Sequence, residues 1–294
     1  MRTVSLEALN TASEAEFAAA LGDIFEHAPW VAADAARRRP FAALADLLAA
    51  MSDAVQAADP ARQMALITGH PDLAGKAARA GTLTAASTAE QAGAGLDQLS
   101  DAQFEAFQRL NSAYREKFGM PFIVCVRRHT RESILTQFER RLAHDAAQER
   151  STALQEIFRI AALRLDDRVS APDRLRVHGR LSTHVLDTRA GAPAPGVPIE
   201  LAELGGGHPR VIARAVTNAD GRTDEALIGG RPLPIGRYEL RFAVAAYFAA
   251  QQAALADPPF LDVIPIRFAI AEPEGHYHVP LLVTPWSFST YRGS

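Results

Sequence analysis

"RLRVHGRLSTHVLD", residues 174–187, is the stretch on which the reading of the fold turns. Leu175, Val177, Leu181 and Val185 fall on one face of an extended chain, and Arg176, His178, Arg180, Ser182 and His184 fall on the other. That period of two predicts a half-buried strand. Just upstream the period changes: Leu154, Ile157, Phe158, Ala161 and Leu165 recur at three and four residues, the spacing of one helical face. The charges and Pro172 of "DDRVSAPD" interrupt both patterns, which predicts a short linker over residues 167–174.

Working outward, the part before the linker carries further helical stripes: Phe41, Leu44, Leu47, Leu48, Met51 and Val55; Phe104, Phe107 and Leu110; Ile134, Leu135, Phe138 and Leu142. "FIVCV" at 122–126 is its main strand signal. The part after it reads as strands, "GVPIELAEL", "RVIARAVT", "GRYELRFAV", "FLDVIPIRF" and "HYHVPLLV", separated by Gly, Pro and Asp-Gly turns. Prolines within the last two favour edge positions or strand ends. Proline usage follows the same split, six before residue 175 and twelve after it. The expected organisation is two domains, all-α over 1–166 and an all-β sandwich over 175–294, each large enough for its own core.

Composition narrows the function classes. A net charge of -3 and a pI near 6.3 leave no electrostatic footprint for nucleic acid, and the longest basic block is Arg37–Arg39. Partners are expected to be small molecules or protein chains. The single Cys125 rules out an intrachain disulfide and sits in an apolar run, as a structural thiol would. The first residues lack the apolar core of a signal peptide, and no stretch approaches the roughly 20 apolar residues of a membrane span. With no terminal Ser-Lys-Leu, the expectation is a cytoplasmic protein without membrane attachment.

Two polar stretches in the helical part exceed what packing requires. In "TGHPDLAGK", Pro71 disfavours the α conformation at His70 and puts this imidazole in a loop or at a helix start. In "LTAASTAEQAGAGLDQLS", Ser87 and Glu90 have the spacing of a capping box, a sufficient structural reason for both. Together with "HAPW" at 27–30, "FGMPFIVCVR" at 118–127 and "EIFRIAALRL" at 156–165, these stretches resemble, in order over residues 7–166, the 2-oxo-4-hydroxy-4-carboxy-5-ureidoimidazoline (OHCU) decarboxylase family of urate degradation. The resemblance implies an all-helical, usually dimeric domain that removes CO2 without a cofactor and yields (S)-allantoin. It implies His70 and Glu90 as acid/base pair, Ser87 and Gln91 as hydrogen-bond partners of the ureido and ring groups, and Arg164 as binder of the anionic portion. His27 is expected to line the pocket. Loss of CO2 leaves a carbanion that an adjacent C=N delocalises, so the residues need only manage protons, which an imidazole does near neutral pH.

In the β part, His276 and His278 share a strand face, and with His184 they could make a three-histidine zinc site, although a solvated face explains the alternation equally. Arg222 follows the turn "TNADG". The set "LSTHVLDTRAGAPAPGVPIEL", "TNADGRTDEALI", "GRYELRFAVAAYF" and "HYHVPLLVTPWSFSTYRGS" resembles the transthyretin-like 5-hydroxyisourate hydrolases over residues 175–294, the terminal YRGS most specifically. This resemblance implies His184, Arg222 and His278 as catalytic residues, with Tyr291, Arg292, Gly293 and Ser294 packed into the pocket and His276 behind it. It also implies sandwiches joined edge to edge into dimers that pair again, hence a homotetramer. One His would take a proton from water attacking a ring amide while Arg222 holds the polarised oxygens, with no metal or cofactor. Ser294 as nucleophile is the sharper alternative. The product of the second domain would be the substrate of the first. The rival class is a transthyretin-like ligand-binding protein with a helical interaction module, for which these residues would be dispensable.

Overall fold

The computed structural model describes residues 3–74, 83–205, 207–253 and 255–293. Lys76 and Ser294 of the motifs above lie outside them. The chain divides into two compact units, Met1–Arg127 with Ile134–Val177, and Arg128–Ser133 with His178–Ser294.

The first unit is helical. Among the described residues its helices are α1 (Leu6–Thr11), α2 (Glu14–Leu21), α3 (Pro29–Ala36), α4 (Leu44–Ala57), α5 (Pro60–Thr68), α6 (Ala85–Gly93), α7 (Asp101–Phe118), α8 (Arg131–Arg141, whose first three residues fall in the second unit) and α9 (Ala146–Arg168). Side chains cap many of them. Ser13 and Glu16 form a capping box on α2, and Asp59 and Asp145 accept from the first-turn amides of Arg62 and Gln148. α9, 23 residues and so about 34 Å long, buries Ile157, Ala161, Leu163 and Leu165. Phe107 and Tyr114 of α7 pack with Phe122 and Phe138 into one aromatic cluster. "FIVCV" is buried but is not a strand: residues 122–125 have no regular structure, Val126 opens a 3-10 helix (Val126–Arg128), and the Cys125 amide donates to the Glu156 carboxylate at 2.8 Å.

After α9, Val169–Ser170 (β2) pairs in parallel with Val4–Ser5 (β1), Asp173 accepts from the amide of Leu44, and Arg174 pairs with Asp166. Leu175 and Val177 pack against the helical core, so the alternation seen in 174–187 begins as a strand only at Gly179.

The second unit is a sandwich of two sheets. One orders β11 (Phe288–Thr290), β10 (His276–Val283), β3 (Gly179–Asp187) and β4 (Ala192–Pro193), with β7 (Ile228–Arg231) also on β3. The other orders β6 (Arg210–Val216), β5 (Pro198–Leu204), β8 (Gly236–Ala243) and β9 (Val263–Ile270). Leu181, Val185, Leu201, Leu240, Phe242, Ile266, Leu281 and Val283 form the core between them. A short helix, α10 (Val244–Ala250), follows β8, and Thr130 donates its amide to the carbonyl of Ile235. Pro265 does lie on an edge strand, β9, whereas Pro280 lies on β10, which is paired on both sides. Pro280 falls between the Leu281↔Thr290 pair and the His278↔Gly293 bridge, and its carbonyl accepts from Thr290 Oγ1 at 2.7 Å.

Candidate functional sites

In the helical unit the C-terminal end of α5, the start of α6, the segment 122–126 and α9 meet around one pocket. It is lined by His70, Ser87, Glu90, Gln91, Ile160 and Arg164, among others. His70 follows α5, and its Nδ1 lies 2.9 Å from the carbonyl of Leu66. A carbonyl only accepts, so Nδ1 carries the proton and Nε2 is left with its lone pair. Burial pushes the His70 pKa down, against the opposing pull of the Leu66 carbonyl and the Glu26 carboxylate, so the ring is neutral at neutral pH.

The residue that holds two of these lining side chains was not foreseen. Glu26, 4% exposed, accepts from Thr84 Oγ1 at 2.6 Å, Ser87 Oγ at 3.0 Å and Arg164 Nη1 at 2.8 Å. Burial alone would raise its pKa, but the Thr84 hydroxyl and the Arg164 guanidinium together hold it below the ordinary value. Arg164 turns its other edge to Glu90, Nε and Nη2 lying 2.8 and 2.9 Å from the two carboxylate oxygens. This bidentate fork fixes Glu90. The capping-box reading of Ser87 and Glu90 is corrected: Thr84 is the N-cap of α6, accepting from the Ser87 amide at 3.3 Å, and both side chains are released for the pocket. Gln91 uses its Oε1 on the Ala74 amide at 3.0 Å, leaving its NH2 as donor. His27 is exposed with a left-handed backbone (φ 51) and does not line the pocket.

In the sandwich, β3 and β10 run parallel with His278 opposite Ser182 and Pro280 opposite His184, which puts Ser182, His184, His276 and His278 on one face. His184 forms a backbone bridge with Arg222, and His278 with Gly293. The sequence-predicted His184, Arg222, His278 and Gly293 are thereby brought together. The Gly293 amide donates to the His278 carbonyl at 2.9 Å, and a Cβ on Gly293 would come within 2.8 Å of His278 Cδ2, so only glycine fits. The other tail residues behave differently. Tyr291 is 59% exposed, and Arg292 stacks over the ring of Tyr277, on the strand face opposite His278.

Ser182 is the unforeseen residue here, its Oγ 3.0 Å from His278 Nδ1 and 3.2 Å from His276 Nε2. The zinc alternative finds this hydroxyl between two of its three imidazoles. Among the described residues His184 Nε2 is buried with no hydrogen-bond partner. Burial, and then the charge of Arg222, depress the pKa of both His184 and His278; His184 and His276 add to the effect at His278. Both rings are therefore neutral bases at neutral pH.

The OHCU decarboxylase family model matches residues 10–166, and that of the HIUase/Transthyretin family matches residues 181–293. The chain belongs to both families. A 5-hydroxyisourate hydrolase of Deinococcus radiodurans is 56% identical over 117 residues, 40% of this chain and 98% of that protein. A 2-oxo-4-hydroxy-4-carboxy-5-ureidoimidazoline decarboxylase of Haloferax volcanii is 43% identical over 171 residues, 58% of this chain and 99% of that protein. A crystal structure of (S)-allantoin synthase, 36% identical with a TM-score of 0.53, covers 99% of this chain and 100% of that one. Within the decarboxylase-family half, Glu26 directly precedes the "HAPW" stretch, which was the one sequence signal that could have pointed to it.

Proposed function

We infer that the chain is a bifunctional enzyme of urate catabolism: the sandwich hydrolyses 5-hydroxyisourate to OHCU, and the helical unit decarboxylates OHCU to (S)-allantoin and CO2. The observation that carries this is that one chain, similar end to end to (S)-allantoin synthase, holds both a His/Arg/Glu pocket, its arginine held from behind by Glu26, and a His/Arg/His strand site.

In the sandwich, a neutral imidazole of His184 or His278 accepts a proton from the attacking water while Arg222 holds the carbonyl oxygens of the substrate. In the helical pocket each proton has an assigned place. His70 Nε2 accepts, Ser87 has committed its only proton to Glu26 and so accepts from a ureido N–H, and the Gln91 NH2 donates. His70 takes a proton from a substrate hydroxyl or N–H and, as imidazolium, returns one to a single face of the planar intermediate, which sets the product's hand. Glu90, held by Arg164, stabilises the transient imidazolium, and Arg164 meets the substrate carboxylate between its two glutamates. Glu26 locks Ser87 and Arg164 in place. Hydrolysis releases one proton and decarboxylation consumes one, so the pair of steps is proton-neutral.

No helix among the described residues is long and apolar enough to cross a membrane. The reading includes a cytoplasmic location and a homotetramer, supported by exposed Trp286, Phe288 and Tyr291 along the outer strand β11. Light scattering on the purified protein tests the assembly. The activity is tested by supplying 5-hydroxyisourate made fresh from urate, following its loss by ultraviolet absorbance and the product by circular dichroism. Accelerated loss with one enantiomer of allantoin is expected. Unchanged decay with racemic allantoin would leave the ligand-binding alternative.

A further inference from the structure

We propose that Ser182 and His276 form a proton exit from His278 to solvent, His278 Nδ1 to Ser182 Oγ to His276 Nε2, and that hydrolysis runs at full rate only when this chain is intact. The proposal rests on the reading of His278 as the base, and it assigns roles to two residues that the reaction scheme above leaves idle.

The geometry is a continuous hydrogen-bonded row. His278 is half-buried, Ser182 half-buried beside it, and His276 exposed, with 3.0 Å and 3.2 Å between successive polar atoms. The row is built by the parallel register of β3 and β10, which sets Ser182 opposite His278 and leaves His276 two residues before it on the same face. A serine hydroxyl has one proton and can accept, so between two imidazoles it must donate to one and accept from the other. That gives two states. In one, His276 Nε2–H donates to Oγ and Oγ–H donates to His278 Nδ1, so the His278 proton sits on Nε2 and no base faces the substrate. In the other, His278 Nδ1–H donates to Oγ and Oγ–H donates to His276 Nε2, leaving the lone pair on His278 Nε2.

Only the second state can take a proton from water. Once Nε2 has done so, the Nδ1 proton of the imidazolium passes to Ser182 Oγ as the serine proton passes to His276 Nε2, and His276 releases its Nδ1 proton to solvent. The hydroxyl of the tetrahedral adduct gives its proton to the departing nitrogen as the C–N bond breaks, and after product leaves, His278 Nε2 loses its proton to water in the emptied site while His276 regains one at Nδ1, which returns the row to the second state. The balance matches the reaction. Water adds to the ring amide carbonyl, the C–N bond breaks, the departing nitrogen gains one proton, and the new carboxylic acid ionises, so one proton per turnover must leave the site. The charged groups around His278 make that exit necessary. Arg222 from the turn, Arg180 and His184 from β3 and His276 on its own strand all disfavour a lasting positive charge there.

The test compares Ser182→Ala, Ser182→Thr, His276→Gln and His278→Ala in steady-state hydrolysis over pH, with and without added imidazole. Expected is a fall in kcat of about tenfold, with little change in KM, for both Ser182→Ala and His276→Gln. The double variant should fall no further than either single one, because both break the same row. Ser182→Thr, which keeps the hydroxyl, should stay near wild type, and imidazole buffer should restore the rate of His276→Gln. The exposed position of His276 lets this variant decide the matter even where Ser182→Ala folds poorly. Wild-type kcat in His276→Gln with an inactive His278→Ala would overturn the relay and leave the base intact, while an active His278→Ala would overturn the reading on which it rests.

Discussion

The two sites place similar residues, histidine and arginine, in opposite settings. In the helical pocket Arg164 is buried and both of its edges are already bonded, one to Glu26 and one to Glu90. In the sandwich Arg222 is exposed and its site lies on the face of a sheet, with a buried His184 nitrogen that has no partner among the described residues. A buried charge must be compensated before any substrate arrives, so the helical site is assembled as part of the core. A sheet face in contact with water needs no such compensation, and here Gly293 pairs with His278 through the backbone alone. Catalysis and stability should therefore be coupled in the first site and separable in the second.

The largest effects should split the two reactions. His278→Ala is expected to slow hydrolysis, and His70→Ala decarboxylation, each by about 10²- to 10⁴-fold, leaving the other step at its wild-type rate. With His70→Ala the hydrolysis product accumulates and allantoin becomes racemic by circular dichroism. Loss of both steps in either variant would break the comparison.

Next in size is stability. Arg164→Met strands two carboxylates, one of them Glu26, and should cost about 3–5 kcal/mol in chemical denaturation of the helical transition. Arg222→Met removes an exposed side chain and should change stability by less than about 0.5 kcal/mol while still reducing hydrolysis. Equal destabilisation by both would mean that the two arginines are held alike.

Gly293→Ala sharpens the contrast from the other side. Its Cβ would press on the His278 ring, and a displacement approaching 1 Å should slow hydrolysis by about 100-fold without moving the melting temperature.

The smallest effects are in pH profiles, and they run in opposite directions. All three histidines are held below their ordinary pKa of 6.5, so both reactions should persist below that pH and fail only on further acidification. Arg222→Gln removes a positive charge that disfavours protonation of His184 and His278, so their pKa values rise and the acid limb of hydrolysis moves to higher pH. Glu26→Gln removes a negative charge that favours protonation of His70, so its pKa falls further and the acid limb of decarboxylation moves to lower pH. Rate against pH for each step reads both shifts.

Much of the fold was legible because periodicity is local. A helical stripe needs neighbours three or four residues away and a strand needs the second residue along, so α9, β3, β5, β6, β8 and β10 stood in the sequence. Where a segment's state depends on something distant, that reading failed. "FIVCV" has strand composition but no strand beside it, and Leu175 and Val177 alternate correctly yet pack on helices. The residues of the proposed sites were named from motifs, but their bonding was not legible there.

From the sequence alone came the change of period near residue 175, the presence of two folds, and the histidines and arginines on which the proposed chemistry rests. The tertiary structure decided who holds them. Glu26 meets Thr84 across 58 residues and Arg164 across 138, and Ser182 meets His278 across 96. No local pattern encodes such pairs, because a hydrogen bond is set by distance in space and angle, and those exist only once the cores on either side have packed.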